Sequence, residues 1–320
     1  MNLSMTSDFA AAYKSNSQRA RVVTESWGEH NLYCPNCSSS KLNRLAHNTQ
    51  ASDFCCPDCR FWFQLKGQKT PIGGSIMDGA YESMMRAIRT DAAPSYYFMH
   101  YDLQTWTVRN LLLVPHFAFP PSAIVKRNPL SASARRAGWV GCNFALDRIP
   151  ADARIEIVSS RRDPVTPINK SSEIIQSLLT SAATHVKITP PEEVREKFGR
   201  IKPLKELSIT QRGWTLDVLN IVRRIVESRR RREKTLTNPK YGEQPNQEIS
   251  QRLLTSSPTE KENTFTNADV YAHERELAQL HPDNRHIKDK IRQQLQVLRD
   301  LGILAQRERG VWAIRTEPRA

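Results

Sequence analysis

Four of the six cysteines form two CxxC pairs within one short segment of the chain. Cys34 and Cys37 lie in YCPNC, and Cys56 and Cys59 lie in CCPDC, with 18 residues between the pairs. Two tight turns that each present two thiolates supply the four-sulfur shell of a structural zinc site. Two disulfides or a thioredoxin-type redox pair are the alternatives, but disulfides need an oxidising compartment and a redox motif needs only one pair. The spacing therefore predicts structural zinc.

The other two cysteines are expected to lie outside that site. Cys55 adjoins the second pair, but adjacent cysteines cannot both be placed well around one ion, and the CxxC spacing selects Cys56. Cys142 stands alone, and a lone cysteine is more often a small core residue than a nucleophile. We therefore expect a buried or semi-buried thiol at position 142.

A second group of reactive side chains lies around the second cysteine pair. Asp53 precedes the pair, and residues 61–66 (FWFQLK) after it form a strand pattern, so the two segments should make a hairpin-like unit. Side chains alternate along a strand, which places Gln64 and Lys66 on one face. An aspartate on one strand and a lysine on the next is the layout of a metal-dependent nuclease, in which oxygen ligands hold Mg²⁺ and the lysine orients water. Many sheet proteins share this spacing, so the spacing alone does not identify a nuclease.

The elements that must position these residues indicate an α/β domain. Residues 81–89 have a helical pattern, and residues 96–101 and 111–114 form strand patterns rich in aromatic and aliphatic residues. Residues 131–143 (SASARRAGWVGCN) combine small residues, two arginines and one tryptophan, which is too irregular for a core element. We interpret that segment as a functional loop or as a short helix with a loop. The predicted nuclease-like domain comprises residues 1–190.

A linker at residues 191–206 is predicted to separate this domain from a second one at residues 207–320. Pro190 and Pro191 open the linker, and paired prolines resist both helix and sheet. Residues 215–227 then form an amphipathic helix. Its inner face comprises Leu216, Leu219, Val222, Ile225 and Val226.

Residues 228–263 lack steady periodicity and contain four consecutive arginines at positions 229–232, which predicts a polar and basic surface insert. Its arginines either touch DNA or form an ordinary solvated face.

The rest of the second domain has the pattern of a winged helix-turn-helix. Residues 265–280 start with Thr266 or Asn267 as an N-cap, residues 287–301 form an amphipathic helix, and residues 302–315 alternate around a turn as a hairpin. The final helix of this motif enters a major groove, where glutamine bonds adenine and arginine or lysine bonds guanine or phosphate. Its predicted outer face carries Lys288, Lys290, Arg292, Gln293, Gln294 and Gln296. Winged helices also serve protein contacts, but this basic, glutamine-rich face favours DNA.

Composition narrows the class of protein. A chain of 320 residues with 39% hydrophobic and 25% charged residues is long enough for about two globular domains. The longest mostly apolar stretch, residues 111–121, is broken by prolines, and the N-terminal segment lacks a signal-peptide pattern. We therefore expect a cytoplasmic protein that is not inserted in a membrane. The net charge of +14 favours nucleic acid as a partner, although a basic soluble enzyme is the alternative.

Several longer motifs, in the same order along the chain, resemble the DpnI family of methyl-directed restriction endonucleases. They are YKSNSQRARVVTE, YCPNC, SDFCCPDC, LK, DGAY, ARRAGWVGCN, RGWTLDVLN and HIKDKIRQQLQVLRD. The resemblance runs from about Tyr13 to Ile314, apart from residues 228–263. It implies a PD-(D/E)xK nuclease domain with structural zinc, followed by a winged helix. It further implies that both domains bind adenine-methylated GATC and that the nuclease domain makes a blunt double-strand cut with Mg²⁺.

Carried over by motif, Asp53 is the first Mg²⁺ ligand, Lys66 is the catalytic lysine, and the family's second acidic ligand falls at Gln64. An amide keeps an oxygen donor but loses a negative charge, which weakens binding of a divalent cation. Some similar nucleases have glutamine at this position and are active. The resemblance therefore implies a nuclease whose activity is less certain than its DNA binding.

Two tryptophans differ in their expected roles. Trp139 matches the family tryptophan associated with methylated adenine, and the neighbouring Arg135 and Arg136 favour DNA contact over a core position. Trp214 starts an amphipathic helix and is expected to be a packing residue.

Three functions follow in order of preference. The first is a type IIM endonuclease that cuts adenine-methylated GATC and has no small-molecule substrate. The second is a methyl-DNA-binding protein with a degenerate nuclease site, and the third is a zinc-ribbon transcription factor. The oligomeric state stays open, since one monomer that cuts each strand in turn, or two monomers, can cut a palindromic site.

Overall fold

The computed structural model describes residues 1–46, 49, 52–162, 184–237 and 263–315 of the chain. Its contacts fall into two compact units. The first unit comprises Met1–Met77, Asp91–His116 and Asp152–Gly199, and the second comprises Asp78–Thr90, Phe117–Ala151 and Arg200–Ala320. The units thus alternate along the sequence. The functional boundary near residue 190 stays a prediction.

The strands are short at the start of the chain and longer in the centre of the first unit. In chain order they are β1 (Asn43–Arg44), β2 (Phe54–Cys55), β3 (Trp62–Gln68), β4 (Ser75–Ala80), β5 (Ser95–Asp102), β6 (Thr107–Val114), β7 (Ile124–Lys126), β8 (Gly141–Ala145), β9 (Ile155–Arg162), β10 (Thr184–Ile188), β11 (Thr264–Thr266), β12 (Leu304–Glu308) and β13 (Val311–Ile314). The strands predicted at residues 61–66, 96–101 and 111–114 correspond to β3, β5 and β6.

The helices follow the sequence patterns closely in some places and depart from them in others. They are α1 (Asn16–Asn31), α2 (Tyr81–Arg89), α3 (Pro191–Ile201), α4 (Ile209–Thr237), α5 (Asn267–Tyr271), α6 (Glu274–Leu280) and α7 (Ile287–Asp300). Single turns of 3-10 helix lie at Asp8–Ala12, His116–Ala118, Pro121–Ala123, Leu146–Arg148, Ala151–Ala153 and Lys202–Glu206. Among these elements, no helix combines the length and apolar character needed to cross a bilayer.

A mixed sheet forms the frame of the first unit, with strand order β1-β2-β3-β5-β6-β9-β10. β3 and β5 are parallel, and the other neighbouring pairs are antiparallel. Helix α1 lies close to this sheet because Gly28 has no side chain. A Cβ atom there would be 2.8 Å from the Phe54 ring and 3.2 Å from the Leu65 side chain. This close packing fixes α1 beside β2 and β3.

The second unit contains the winged helix. Helices α4 to α7 accompany a sheet of order β11-β13-β12, in which β12 and β13 form the predicted hairpin. Thr266 is the N-cap of α5, and it forms a capping box with Asp269. Helix α2 and a sheet of order β4-β8-β7 complete this part of the fold. The boundary between the two units falls within β4. The predicted α/β nuclease-like region and C-terminal helix-turn-helix are confirmed.

Two predicted irregular segments are helical. The predicted linker was wrong in its local structure, because Pro191 occupies the first position of α3, where proline needs no N–H and its fixed φ suits a helix. The predicted insert was wrong over its first ten residues, since α4 continues to Thr237. Arginine, lysine and glutamate are good helix formers, and they extend the helix. Residues 238–262 of the predicted insert lie outside the described residues.

Candidate functional site

The four cysteines of the two CxxC pairs meet in the first unit. Their sulfur atoms all lie within 4.8 Å of one another, with 3.5 Å between the Sγ atoms of Cys34 and Cys59 and the same distance between Cys37 and Cys56. Cys55 lies outside this cluster, as predicted. The sequence spacing therefore selected the correct thiol of the adjacent pair.

The donor set fits a closed zinc site. Sulfur atoms about 2.3 Å from a tetrahedral zinc ion are about 3.8 Å apart, close to the separations in the cluster. Burial opposes ionisation of the Cys56 thiol, but hydrogen bonds with the backbone N–H groups of Cys59 and Asp58 and with the Cys37 and Cys59 thiols together lower its pKa to about 7. Among described residues, no other group of histidine, cysteine or acidic side chains gathers in this way. Cys142 is a fully buried thiol, as predicted, and donates to the Gly79 carbonyl.

An arginine on α3 holds the first cysteine turn. The Arg195 Nε atom donates to the carbonyl oxygens of Cys37 (2.8 Å) and Cys34 (3.2 Å), and one terminal nitrogen donates to Ser39 (3.2 Å) and Ser38 (3.4 Å). Its guanidinium also lies 5.4 Å from the centre of the Tyr33 ring. Because a guanidinium is planar and rich in donors, it can satisfy several turn carbonyls at once. Arg195 therefore ties α3 to the turn that presents two of the four thiols.

The predicted nuclease residues lie at the start of β2 and on its neighbouring strand β3. Asp53 directly precedes this strand, and its Oδ2 atom accepts a hydrogen bond of 2.9 Å from the backbone N–H of Leu65 on β3. Its own N–H donates to the Phe63 carbonyl. Leu65 lies between Gln64 and Lys66, whose side chains point to the opposite face from the buried Leu65 side chain. The Asp53 carboxylate is thus fixed against the short stretch of β3 that carries both partners.

The electrostatic surroundings of Asp53 combine burial with nearby charges. Burial raises the pKa of the Asp53 carboxyl, and the neighbouring Glu25 carboxylate acts in the same direction. The Leu65 N–H and the positive charges of Lys66 and Arg21 act in the opposite direction. The charged form is therefore stabilised first by the Leu65 N–H and then by nearby cations. A divalent cation would be favoured at such a carboxylate.

A basic hairpin carries the tryptophan predicted to contact methylated adenine. Backbone hydrogen bonds from Arg127 to Gly141 and from Leu130 to Trp139 extend the β7–β8 pairing outward. The tip, residues 131–138, is exposed apart from Ala134, and it includes Arg135 and Arg136. Trp139 is only half-buried, and the Arg136 guanidinium lies 4.9 Å from its ring centre. The tryptophan therefore lies in a surface loop beside positive charge, and its contact with DNA stays a prediction.

The predicted recognition helix is α7, and it presents most of its polar residues to solvent. Lys288, Arg292 and Gln293 are exposed, and Lys290 and Gln296 are half-buried. Lys290 donates to the Gln293 amide oxygen at 2.8 Å. Arg292 pairs with Asp289. These side chains share an accessible surface of α7, as expected for a groove-reading helix.

Gln294 was wrongly assigned to that surface. It is fully buried, and its amide oxygen lies 2.7 Å from the Thr215 hydroxyl on α4. The same hydroxyl lies 2.8 Å from the Gln211 carbonyl, one helical turn earlier. Gln294 faces inward because it lies three residues after Ile291 and one before Leu295, both in the apolar stripe of α7. It therefore joins two helices and does not read DNA.

Substitutions of the two adjacent glutamines on α7 are expected to affect DNA binding differently. Gln293→Ala should weaken DNA binding by about 5- to 150-fold, because one good base contact contributes about 1–3 kcal/mol. Gln294→Leu replaces a buried amide by an apolar group of similar size and should leave binding within about twofold. Gel shifts with one duplex at fixed salt measure both variants. Equal losses of affinity would contradict this assignment of the two faces.

Sequence patterns also missed a polar cluster at the turn before α7. The His281 ring stacks on Trp214 with 3.6 Å between ring centres, and its Nε2 atom lies 2.8 Å from the buried Asp217 carboxylate. Ser122 donates to the other Asp217 oxygen at 2.6 Å. Trp214 is a packing residue, as predicted. No local pattern reveals this cluster, since His281 and Asp217 are 64 residues apart.

Two family models match the chain. A model described as DpnI, the Dam-replacing family, matches residues 1–181, and one described as DpnI_C, the Dam-replacing HTH domain, matches residues 258–313. The first match alone covers more than half of the 320 residues and includes the cysteine cluster, Asp53 and Lys66. The second includes α7 and indicates DNA binding. The chain therefore belongs to the DpnI, or Dam-replacing, family, whose membership implies a methylation-dependent restriction endonuclease.

Proposed function

We propose that this chain is a type II (type IIM) endonuclease that cleaves adenine-methylated GATC in double-stranded DNA by Mg²⁺-dependent phosphodiester hydrolysis. The observation that carries the proposal is the hydrogen bond from Leu65 to the Asp53 carboxylate. This bond holds the carboxylate against β3 at the residue between Gln64 and Lys66, whose side chains carry an amide and an amine. In a chain with a helix-turn-helix domain, these groups have the chemistry needed to cut DNA.

The proposed roles follow from the donor atoms. The Asp53 carboxylate and the Gln64 amide oxygen are suitable Mg²⁺ ligands, since this cation prefers oxygen. When bound, Mg²⁺ supplies positive charge that stabilises the phosphate as its negative charge increases. Lys66 is a hydrogen-bond donor that orients the attacking water and stabilises developing charge. Leu65 contributes only its backbone N–H, which holds the carboxylate in place.

DNA reading is assigned to two surfaces of the second compact unit. The hairpin with Trp139, Arg135 and Arg136 presents an apolar ring beside the Arg136 guanidinium, which suits contact with an N6-methyl group near the phosphate backbone. The accessible face of α7 supplies Lys288, Lys290, Arg292, Gln293 and Gln296 for a major groove. We infer that discrimination arises from methyl contacts together with base-edge bonds.

The remaining proposals concern the zinc site, the roles of the two domains and the setting in which the enzyme acts. We propose that the four cysteines hold structural Zn²⁺, because the closed four-thiol set lacks an open position for substrate. Cleavage is assigned to the domain at residues 1–190, and residues 207–320 form the winged-helix DNA-binding domain. The proposed enzyme acts in the cytoplasm on DNA, without a small-molecule substrate, and a monomer is compatible with this function.

A second function is favoured by one residue. Gln64 has no negative charge, so the proposed Mg²⁺ site contains one carboxylate where the family pattern has two. A site with too little negative charge holds the cation weakly. The alternative is therefore a methyl-DNA-binding protein that does not cleave.

One plasmid experiment distinguishes these functions. The purified protein is incubated with fully adenine-methylated and unmethylated copies of a GATC-containing plasmid, each with Mg²⁺ and with EDTA. We expect fragments only from the methylated plasmid with Mg²⁺, because both methyl recognition and a cation are required. Intact DNA under every condition, with gel shifts that still favour the methylated copy, would instead establish a binder with an inactive site.

A further inference from the structure

A buried carboxylate on α1 holds two arginines in the first compact unit. The Glu25 Oε1 atom accepts from the Arg21 Nε atom at 2.5 Å, and Oε2 accepts from a terminal nitrogen of Arg44 at 2.6 Å. The Glu25 side chain is 8% exposed, whereas those of Arg21 and Arg44 are 50% and 23% exposed. The carboxylate is therefore covered, while both cations reach solvent.

The β1–β2 pairing places this group beside the proposed cleavage site. Arg44 is the cross-strand partner of Phe54, the residue that follows Asp53. The N–H of Leu45, next to Arg44, donates to the Asp53 carbonyl at 2.8 Å. Helix α1 is fixed over the same strands through Gly28. Glu25 and Arg21 are also close enough to Asp53 to shift the pKa of its carboxyl in opposite directions.

The charges in this group do not balance. Two guanidinium groups and the Glu25 carboxylate leave one positive charge, and the nearby charges of Lys66 and Asp53 offset each other. Each guanidinium has five N–H donors, of which Glu25 engages one. Arginine in a fixed orientation suits phosphate, because its fork of donors matches the phosphate oxygens. An anion is therefore the ligand that this group would accept.

We propose that Arg21 and Arg44 bind a backbone phosphate of the DNA strand beside Asp53. Glu25 is a positioning residue that fixes the two guanidinium groups, and it is not a ligand of Mg²⁺. This inference rests on the proposed function, since the phosphate belongs to the DNA that is cut. It assigns to α1 and β1 a direct part in holding the substrate.

The salt dependence of DNA binding tests the two arginines. Affinity for a methylated duplex is measured in EDTA over a series of salt concentrations for the wild type, Arg21→Gln and Arg44→Gln. Each lost phosphate contact should reduce the slope of log affinity against log salt by about 0.9. Arg19→Gln, a change on the same helix at a residue that donates to the Tyr13 carbonyl, serves as the control and should keep the wild-type slope. Wild-type slopes for both test variants would overturn the proposal.

Glu25→Gln tests the positioning role. Removal of a negative charge would by itself strengthen DNA binding, whereas loss of the group that orients two arginines should weaken it by about tenfold. Glu25→Asp, which keeps the charge, should restore part of the affinity. Tighter binding by Glu25→Gln would contradict positioning. If this variant does not fold, Arg21→Gln still decides the proposal, because the Arg21 side chain is half-exposed.

Metal binding and cleavage separate this proposal from its alternatives. Mn²⁺ affinity measured on the protein–DNA complex should fall in Asp53→Asn and stay unchanged in Glu25→Gln. A loss in Glu25→Gln equal to that in Asp53→Asn would make Glu25 a metal ligand and overturn its assignment. Reduced salt slopes in a protein that never cuts DNA would support the phosphate contacts and contradict only the endonuclease function. Normal cutting by the wild type, with wild-type salt slopes for Arg21→Gln and Arg44→Gln, would support the endonuclease function and contradict only the phosphate contacts.

Discussion

Lys66→Met is expected to slow DNA cleavage by about 10²–10³-fold, the effect of removing one charge-stabilising donor from an active site. Methionine keeps most of the length of the side chain but can neither donate a hydrogen bond nor stabilise negative charge. DNA binding should change by less than about threefold, since one phosphate contact at most is lost. Single-turnover cleavage of a methylated duplex measures the rate, and gel shifts in EDTA measure the binding.

Lys69→Met is the matched control for this change. Lys69 follows β3 by one residue and is exposed, so its replacement removes the same charge from the same region without altering the site. Cleavage by this variant should stay within about twofold of the wild type. Equal rates for Lys66→Met and Lys69→Met would exclude Lys66 from the reaction.

Gln64→Glu is the companion change at the same site. A carboxylate beside Asp53 adds the negative charge that a divalent cation prefers. If the amide only weakens the site, this variant should cut at lower Mg²⁺ concentrations than the wild type does. The wild type could instead be inactive at all Mg²⁺ concentrations while the Gln64→Glu variant cuts. That result would favour the methyl-DNA-binding function for the wild-type protein.

Cys56→Ser is expected to abolish stoichiometric zinc binding and to lower the free energy of unfolding by more than about 3 kcal/mol. Structural zinc contributes roughly 10–16 kcal/mol in zinc-finger peptides, so loss of one ligand from a closed site is costly. For a protein of this size we expect the Tm to fall by about 6–12 °C. Metal analysis of the purified protein and thermal unfolding provide the two measurements.

Cys55→Ser is an internal control for the zinc site. The two residues are adjacent, and the same atom is replaced, but Cys55 lies outside the four-sulfur cluster. One zinc ion per chain and a Tm within about 2 °C of the wild type are expected for this variant. Loss of zinc from both variants would show that the second turn tolerates no change, and the assignment of ligands would then need revision.

Local patterns predicted the elements whose signals lie within a few residues. Helix α2 has the predicted bounds, and the N-cap of α5 is one of the two residues selected from the sequence. The CxxC pairs are equally local, because each turn carries its own two ligands. Alternation along β3 placed Gln64 and Lys66 together, and the hairpin with β2 placed Asp53 beside them.

Other features depend on partners that are distant in the sequence. Gln294 looks like a surface residue in its helix, and only Thr215, 79 residues away, explains its burial. Arg44 pairs with Glu25 across 19 residues, through a strand of only two residues. Arg229–Arg232 were assigned to a surface insert because that segment lacks steady periodicity, although the helix propensity of arginine supports the observed helix. Pro191 was interpreted by its usual effect inside a helix, whereas it occupies the start of one.

The bonds from Arg195 determine where the nuclease domain could be cut from the rest of the chain. A fragment that ends at residue 190 would lack α3, and the carbonyls of the first cysteine turn would lose their shared donor. The turn would then lose the hydrogen bonds that fix its shape, so such a fragment would retain its zinc poorly. A fragment that extends through Ile201 keeps the helix and the arginine together. The self-sufficient limit of the zinc-bearing region is therefore the end of α3, about ten residues beyond the paired prolines.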